Sequence, residues 1–289
     1  MANDQKKPGS VRGIVAALLL GACSQPTGPA QAQAVDGSLF AADATRQARL
    51  PEQLREISGL AVSPDGRLFA HNDERAVIYE LNTTSGQVLK AFALGTGAVE
   101  RGDFEGLAIT PAGDFWLTTS QGQLYRFREG AANAQVAFEA FDSGLREVCE
   151  IEGLAYLAAE ESLILACKRN EARGMRDTIS LHAWRVGGGA DAGLWRQVPE
   201  ADVTRAAGVE HFRPSSLDID AHTGRLILLS ARDAALVELN ADGVASARAL
   251  GPQHTQAEGA AILADGSLAI TDEGGEGFAL LSIYPRTGP

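Results

Sequence analysis

Along most of this chain apolar residues fall in short runs broken by turn residues, a pattern of strands rather than of helices. Five segments repeat one phrase: a small or acidic residue, Gly or Ser, then an apolar run. They read Glu56-Ile-Ser-Gly-Leu-Ala-Val, Phe104-Glu-Gly-Leu-Ala-Ile, Ile151-Glu-Gly-Leu-Ala-Tyr, Pro214-Ser-Ser-Leu-Asp-Ile and Ala257-Glu-Gly-Ala-Ala-Ile. Gly59 to Gly106 spans 47 residues, Gly106 to Gly153 another 47, and Ser216 to Gly259 43. The third unit takes 63 residues to reach Ser216, and its excess, Asn170 to Arg176 and Gly187 to Trp195, is polar and Gly-rich, as insertions into surface loops are.

Each phrase leads to a turn and a second apolar run. Pro64-Asp65-Gly66 precedes Leu68-Phe69-Ala70, Pro111-Ala112-Gly113 precedes Phe115-Trp116-Leu117, Thr223-Gly224 precedes Leu226 to Leu229, and Ala264-Asp265-Gly266 precedes Leu268 to Ile270. Gly supplies the positive φ that such hairpins need. A third, alternating strand follows, as in Val77-Ile-Tyr-Glu-Leu or Gln123-Leu-Tyr-Arg-Phe. Three or four short strands per repeat predict an all-β fold, a β-propeller of four-stranded antiparallel sheets with five legible blades. A β-sandwich is the alternative, but it would not require one phrase at matching points. Gly37 to Arg49 is expected to add an outer strand to the last blade, closing the ring. A sixth, degenerate blade between Asp177 and His211 stays open.

The first residues follow another rule. Lys6, Lys7 and Arg12 precede a short apolar run, Gly13 to Ala22, too short for a permanent span but suited to a secretory signal. Leu20-Gly21-Ala22-Cys23 resembles a bacterial lipobox, in which Cys23 is acylated and becomes the mature N-terminus. The alternative is an ordinary signal cleaved near Ala30 to Ala34. The expected organisation is a signal over 1–22, a Pro- and Gln-rich tether over 23–37 and the propeller over 38–289. Ser24 after the Cys favours the periplasmic face of the outer membrane, and several acyl chains would hold the domain there firmly.

The formal charge is −12, and loss of residues 1–22 takes it to −14, which argues against a nucleic-acid partner. The acids are also placed. In a propeller the start of strand one and the end of strand two share one face near the axis. Glu56, Glu105, Glu152 and Glu258 stand at strand-one starts, together with Asp103 and Glu150; Asp73, Asp272 and Glu273 stand at strand-two ends. Carboxylates crowded this way repel unless protonated or neutralised, and a hard cation with many oxygen ligands, Ca²⁺ above others, neutralises them. Two rival readings remain: each Glu bonds backbone N–H groups of the adjoining blade, or Lys168, with Arg169 beside it, is an internal counter-ion or anion-binding pair. With no HxxxH or CxxC pair, a zinc site is not expected. Cys149 and Cys167 fall at one end of adjacent strands, where an exported protein can form a disulfide. No G-x-S-x-G elbow or P-loop is present, and Gly274 to Gly277 reads as a loop. The catalytic candidates are Glu152 and His71, both weak; His254 is a poorer second histidine near the axis.

Taken together, Glu56-Ile-Ser-Gly-Leu-Ala, Asp103-Phe-Glu-Gly-Leu-Ala, Ile151-Glu-Gly-Leu-Ala-Tyr with Leu163-Ile-Leu-Ala-Cys-Lys, and Gln256-Ala-Glu-Gly-Ala with Ile270-Thr-Asp-Glu resemble the SdiA-regulated family of propellers over about residues 50–289. The resemblance implies a phytase-like or lactonase-like propeller, often exported, with calcium as its ion. Blade four departs from it, with Pro214-Ser-Ser-Leu-Asp where the Glu is expected, as does a lipobox in place of a plain membrane anchor. The leading expectation is a membrane-tethered propeller that binds Ca²⁺ at its axis and serves calcium handling or envelope homeostasis. The alternatives are a Ca²⁺-dependent phosphoesterase or lactonase with Glu152 as base, and a scaffold whose face binds another envelope protein.

Overall fold

The computed structural model describes residues 37–170 and 174–288 of the chain. The expected signal segment, Cys23 and nearly all of the tether lie outside the described residues. What is described is a five-bladed propeller, each blade an antiparallel sheet built from a meander. Blade 1 is β2 (Ile57–Val62), β3 (Leu68–Asn72), β4 (Val77–Leu81) and β5 (Val88–Leu94); blade 2 is β6 (Phe104–Ile109), β7 (Asp114–Thr119), β8 (Gln123–Arg128) and β10 (Phe138–Asp142). Blade 3 is β11 (Cys149–Leu157), β12 (Ser162–Asn170), β13 (Thr178–Arg185) and β14 (Gly193–Pro199); blade 4 is β15 (Ser216–Ile219), β16 (Leu226–Ser230), β17 (Ala235–Asn240) and β18 (Gly243–Ala249). Blade 5 holds β19 (Ala257–Ile262), β20 (Leu268–Asp272) and β21 (Leu280–Tyr284), and β1 (Arg46–Arg49) completes it from the other end of the chain. The inner strands β2, β6, β11, β15 and β19 each pack on the next, and β19 returns to β2.

The ring is closed where the sequence places the closure. Arg46 to Arg49 pair antiparallel with Ile283 to Leu280. Upstream of β1, Leu39 and Phe40 fill the seam between blades 4 and 5 beside Leu229, Leu236, Ile270 and Tyr284. Glu238 anchors this segment: its buried carboxylate accepts the Leu39 N–H at 2.9 Å and pairs with Arg225 at 3.0 Å, while Arg225 also donates to the Gly37 carbonyl at 3.0 Å. The chain therefore joins the propeller on its lower face, where strand one ends. On the outside of blade 1, the short strand β9 (Gln135–Val136) lies parallel to β5 and covers an edge that would otherwise be open.

No sixth blade exists between Asp177 and His211. That stretch supplies β13 and β14 to blade 3, then helix α1 (Glu200–Ala207). Val203 and Ala207, one turn apart, bury against Ile179, Val198 and Val237, so the helix fills the seam between blades 3 and 4. Gly208, in left-handed geometry at φ 72°, ends it by donating its N–H to the Thr204 carbonyl.

The repeated Gly is a packing requirement of the narrow hub. A Cβ on Gly106 would lie 2.7 Å from Leu154 Cβ and 2.9 Å from its backbone N on the next inner strand. Gly153 repeats this against Leu217, at 2.9 and 3.0 Å. Only a residue without a side chain lets neighbouring inner strands come this close. Replacing Gly106 with Ala is expected to cost about 1–3 kcal/mol by overpacking, whereas Gly193→Ala, which meets nothing within 4 Å, should be near neutral; urea unfolding of both variants checks this.

Candidate functional site: an acidic mouth at the hub

In blades 1, 2, 3 and 5 the register shifts just before the repeated Gly, leaving one residue of strand one unpaired against strand two. The extra residue is Ser58, Glu105, Glu152 or Glu258. A bulge of this kind turns its residue out of the ladder, and here it serves the axis. Blade 4 shows no such shift in its first hairpin, and Ser215 and Ser216 stand in the place of Glu-Gly. Blade 3 carries a second shift, between Glu150 and Ile151, opposite Lys168. The two irregular residues of that blade meet: Lys168 Nζ donates to Glu152 Oε1 at 2.6 Å.

The expected acids divide. Glu105, Glu152, Glu258 and Glu273 all lie close enough to Lys168 to feel its charge, and Asp73 adds its own charge beside Glu273. Burial, then the charges of Glu152 and Asp103, push Glu105 up to about 9, against the pull of Lys168 and a 3.2 Å hydrogen bond from Ser58. Burial and the charges of Glu152 and Glu273 push Glu258 up to about 8. Burial raises Glu152 as well, but the hydrogen bond and charge of Lys168 hold it to about 7. Glu273 reaches about 7 through burial and the charges of Asp73, Glu56 and Glu152. Asp73 is raised by burial and by Glu56, which itself is exposed at the lip. For Lys168, burial opposes the ammonium, but Glu152, Glu150 and Glu258 outweigh it and raise its pKa. Arg169 pairs with Glu150 at 2.6 Å on the rim.

Asp272 does not belong to this group. It sits on the opposite side of β20 from Glu273, only 1% exposed. Its carboxylate accepts from His254 Nδ1 at 2.7 Å and from the Gln256 N–H at 3.3 Å, and His254 Nε2 bonds the Tyr284 hydroxyl. His254 thus locks the start of β19 and does not face the axis. His71 is fully buried too: Nδ1 lies 3.0 Å from the Asn72 carbonyl, Nε2 faces Gly59, and burial lowers the ring to about 4. It is a neutral core histidine without access to solvent. Bonding to the adjoining blade, the rival role for the glutamates, falls to blade 4, where Ser216 Oγ accepts the Ala260 N–H at 2.9 Å and Asp218 the Ile262 N–H at 2.7 Å. No sequence signal marked these residues, because a Ser or Asp in the repeat phrase has no fixed reading.

Cys149 and Cys167 are joined by a disulfide with Cα atoms 5.7 Å apart, near the upper end of blade 3.

The fold and its crowded acidic hub define the class: a small five-bladed propeller with buried carboxylates at one end of its axis. Residues 42–278 match the family model described as SdiA-regulated, and the chain belongs to that family. Comparison with curated proteins finds no match. Among solved structures the chain is similar to the glutaminyl cyclase of Myxococcus xanthus, at 15% identity and TM-score 0.54 over 86% of this chain and 98% of that one. It is also similar to the PQQ-bound aldose sugar dehydrogenase of Streptomyces coelicolor, at 13% identity and TM-score 0.56 over 86% and 99%. These likenesses concern the fold.

The raised acids set a pH dependence. Their folded values exceed the unfolded value of 4.5, so the folded chain holds protons that the unfolded chain releases. Their contribution is complete below that value and is lost as pH rises through about 7 to 9. His71 works in the opposite sense, but only between its folded value of about 4 and its ordinary 6.5. Without added divalent ions the melting temperature should therefore fall from pH 6.5 to 9, and Glu105→Gln with Glu258→Gln should flatten the fall; thermal scans across that range check it.

Proposed function

We propose that the acidic mouth binds a divalent cation of the calcium type. The supporting observation is the imbalance at the hub: Glu105, Glu258, Glu273 and Asp73 are all raised by burial and by neighbouring carboxylates, while Lys168 is spent on Glu152. The donors are hard carboxylate oxygens, which suit Ca²⁺. They stand apart, however. Among the described residues, the one group of three or more Cys, His, Asp or Glu ligand atoms within 4.8 Å of one another lies elsewhere. Water would therefore share the coordination, as a flexible Ca²⁺ shell allows. When bound, the ion supplies positive charge. The chain's part is to hold Glu105 and Glu258 on their bulges and to keep Glu152 neutralised by Lys168.

The same pairings weigh against a phosphate-ester substrate, because Lys168 and Arg169 each already face a carboxylate. Titration calorimetry on chelator-treated protein at pH 8 should give a calcium heat and a raised melting temperature, since a ligand that binds only the folded state stabilises it. Glu105→Gln with Glu258→Gln should abolish both. Absence of heat and of any thermal shift in the native chain would reject the reading.

We also propose the lipid anchor at Cys23, which places the propeller at the periplasmic face of the outer membrane in a calcium-handling or envelope-homeostasis role. The support is the order of charge, apolar run and Cys in residues 6–23. Cys23→Ser should abolish labelling by radioactive palmitate and move the protein out of the membrane fraction.

A further inference from the structure

On the side of blade 3 that faces blade 2, the sulfurs of Cys149 and Cys167 and a ring nitrogen of His182 lie within 4.8 Å of one another. His182 is 4% exposed, and neither of its ring nitrogens has a hydrogen-bond partner. A buried imidazole with both nitrogens idle is costly and calls for a cause. The disulfide beside it offers only weak acceptors. Burial holds the ring below its ordinary value, so it is neutral, the state in which imidazole is a ligand. Trp116 Nε1 and Ser143 Oγ are likewise buried without partners, and Trp116 packs in the same cluster as the two cysteines.

We propose that in the dithiol form of the chain Cys149, Cys167 and His182 form a metal site for a zinc-class ion, and that the disulfide is the metal-free alternative of the same two sulfurs. Two thiolates and an imidazole are the borderline-soft donors that Zn²⁺ prefers and Ca²⁺ avoids. Two thiolates also cancel the ion's charge, so a neutral unit is buried among apolar side chains. Parting the sulfurs to roughly 3.8 Å, the separation that two ~2.3 Å Zn–S bonds meeting at the tetrahedral angle require, is compatible with Cα atoms 5.7 Å apart. Water takes the fourth position.

The chemistry balances. Binding releases two thiol protons to solvent. Oxidation of the metal-bound dithiolate by a disulfide reagent forms the Cys149–Cys167 bond, breaks the reagent's S–S bond and frees the ion; two electrons leave on the reagent, whose two thiolates take two protons back from solvent. The site follows no sequence motif because its ligands come from three strands, with 18 residues between the two cysteines in numbering and 15 more to His182.

The test uses the full chain carrying Cys23→Ser, reduced with a phosphine under argon and titrated with Co²⁺. The expected result is a thiolate-to-cobalt charge-transfer band that saturates at one ion per chain and is discharged by Zn²⁺. Carboxylates at the hub give no such band. His182→Gln should weaken binding about tenfold or more, and the oxidised chain should show no band. Zn²⁺ should also protect both thiols from iodoacetamide, read by mass. If reduction loosens the packing, recovery of the melting temperature on adding Zn²⁺ supports the site. No band and no protection, no thermal recovery, or a band indifferent to His182→Gln would each overturn it.

Discussion

The spacing of the inner strands is the constraint on which this molecule depends. Five sheets can share an axis only if their first strands nearly touch, and they do so at Gly106 and Gly153, where a methyl group would strike the neighbouring strand. That closeness has an electrostatic result. The residue before each Gly sits on a bulge beside the axis, so a Glu there is brought to other Glu residues far away in sequence. Packing and charge are two sides of one repeat phrase: the Gly makes the hub narrow, and the narrowness makes the Glu costly.

Blade 3 resolves its own share of that cost. Glu152 meets Lys168 because both stand at irregularities of the same hairpin. Blade 4 avoids the problem by using serines, whose hydroxyls tie β15 to β19 instead. Blades 2 and 5 have no such remedy in their own sheets, and Glu105 and Glu258 are accordingly raised furthest. The imbalance is thus confined to particular blades.

Much of this was legible in the chain. The repeat phrase and the Gly turns follow from spacing and turn chemistry, and the closing strand expected from Gly37 to Arg49 is present over the last four of those residues, Arg46–Arg49. The long third unit left a sixth blade open; beside the turns around Gly187 to Asp191, its added length is a seam-filling helix with Val203 and Ala207 inward, too short to show a helical period against so many strands. Asp272 was misplaced for a simple reason. Neighbouring strand residues point to opposite faces, and an acidic pair such as Asp272-Glu273 offers no sign of which member faces the axis. The partners of Asp272, His254 and Tyr284, come from separate loops and strands. His182 carries no signal at all, because its meaning lies in what surrounds it.

The manner in which the N-terminal segment joins the ring has a directional consequence. Gly37 and Leu39 are held by Arg225 and Glu238 at the end of the axis opposite the glutamates. A pull on the chain at Gly37 therefore enters the ring at the end away from the acidic opening, and the load falls first on Arg225 and Glu238 rather than on the glutamates.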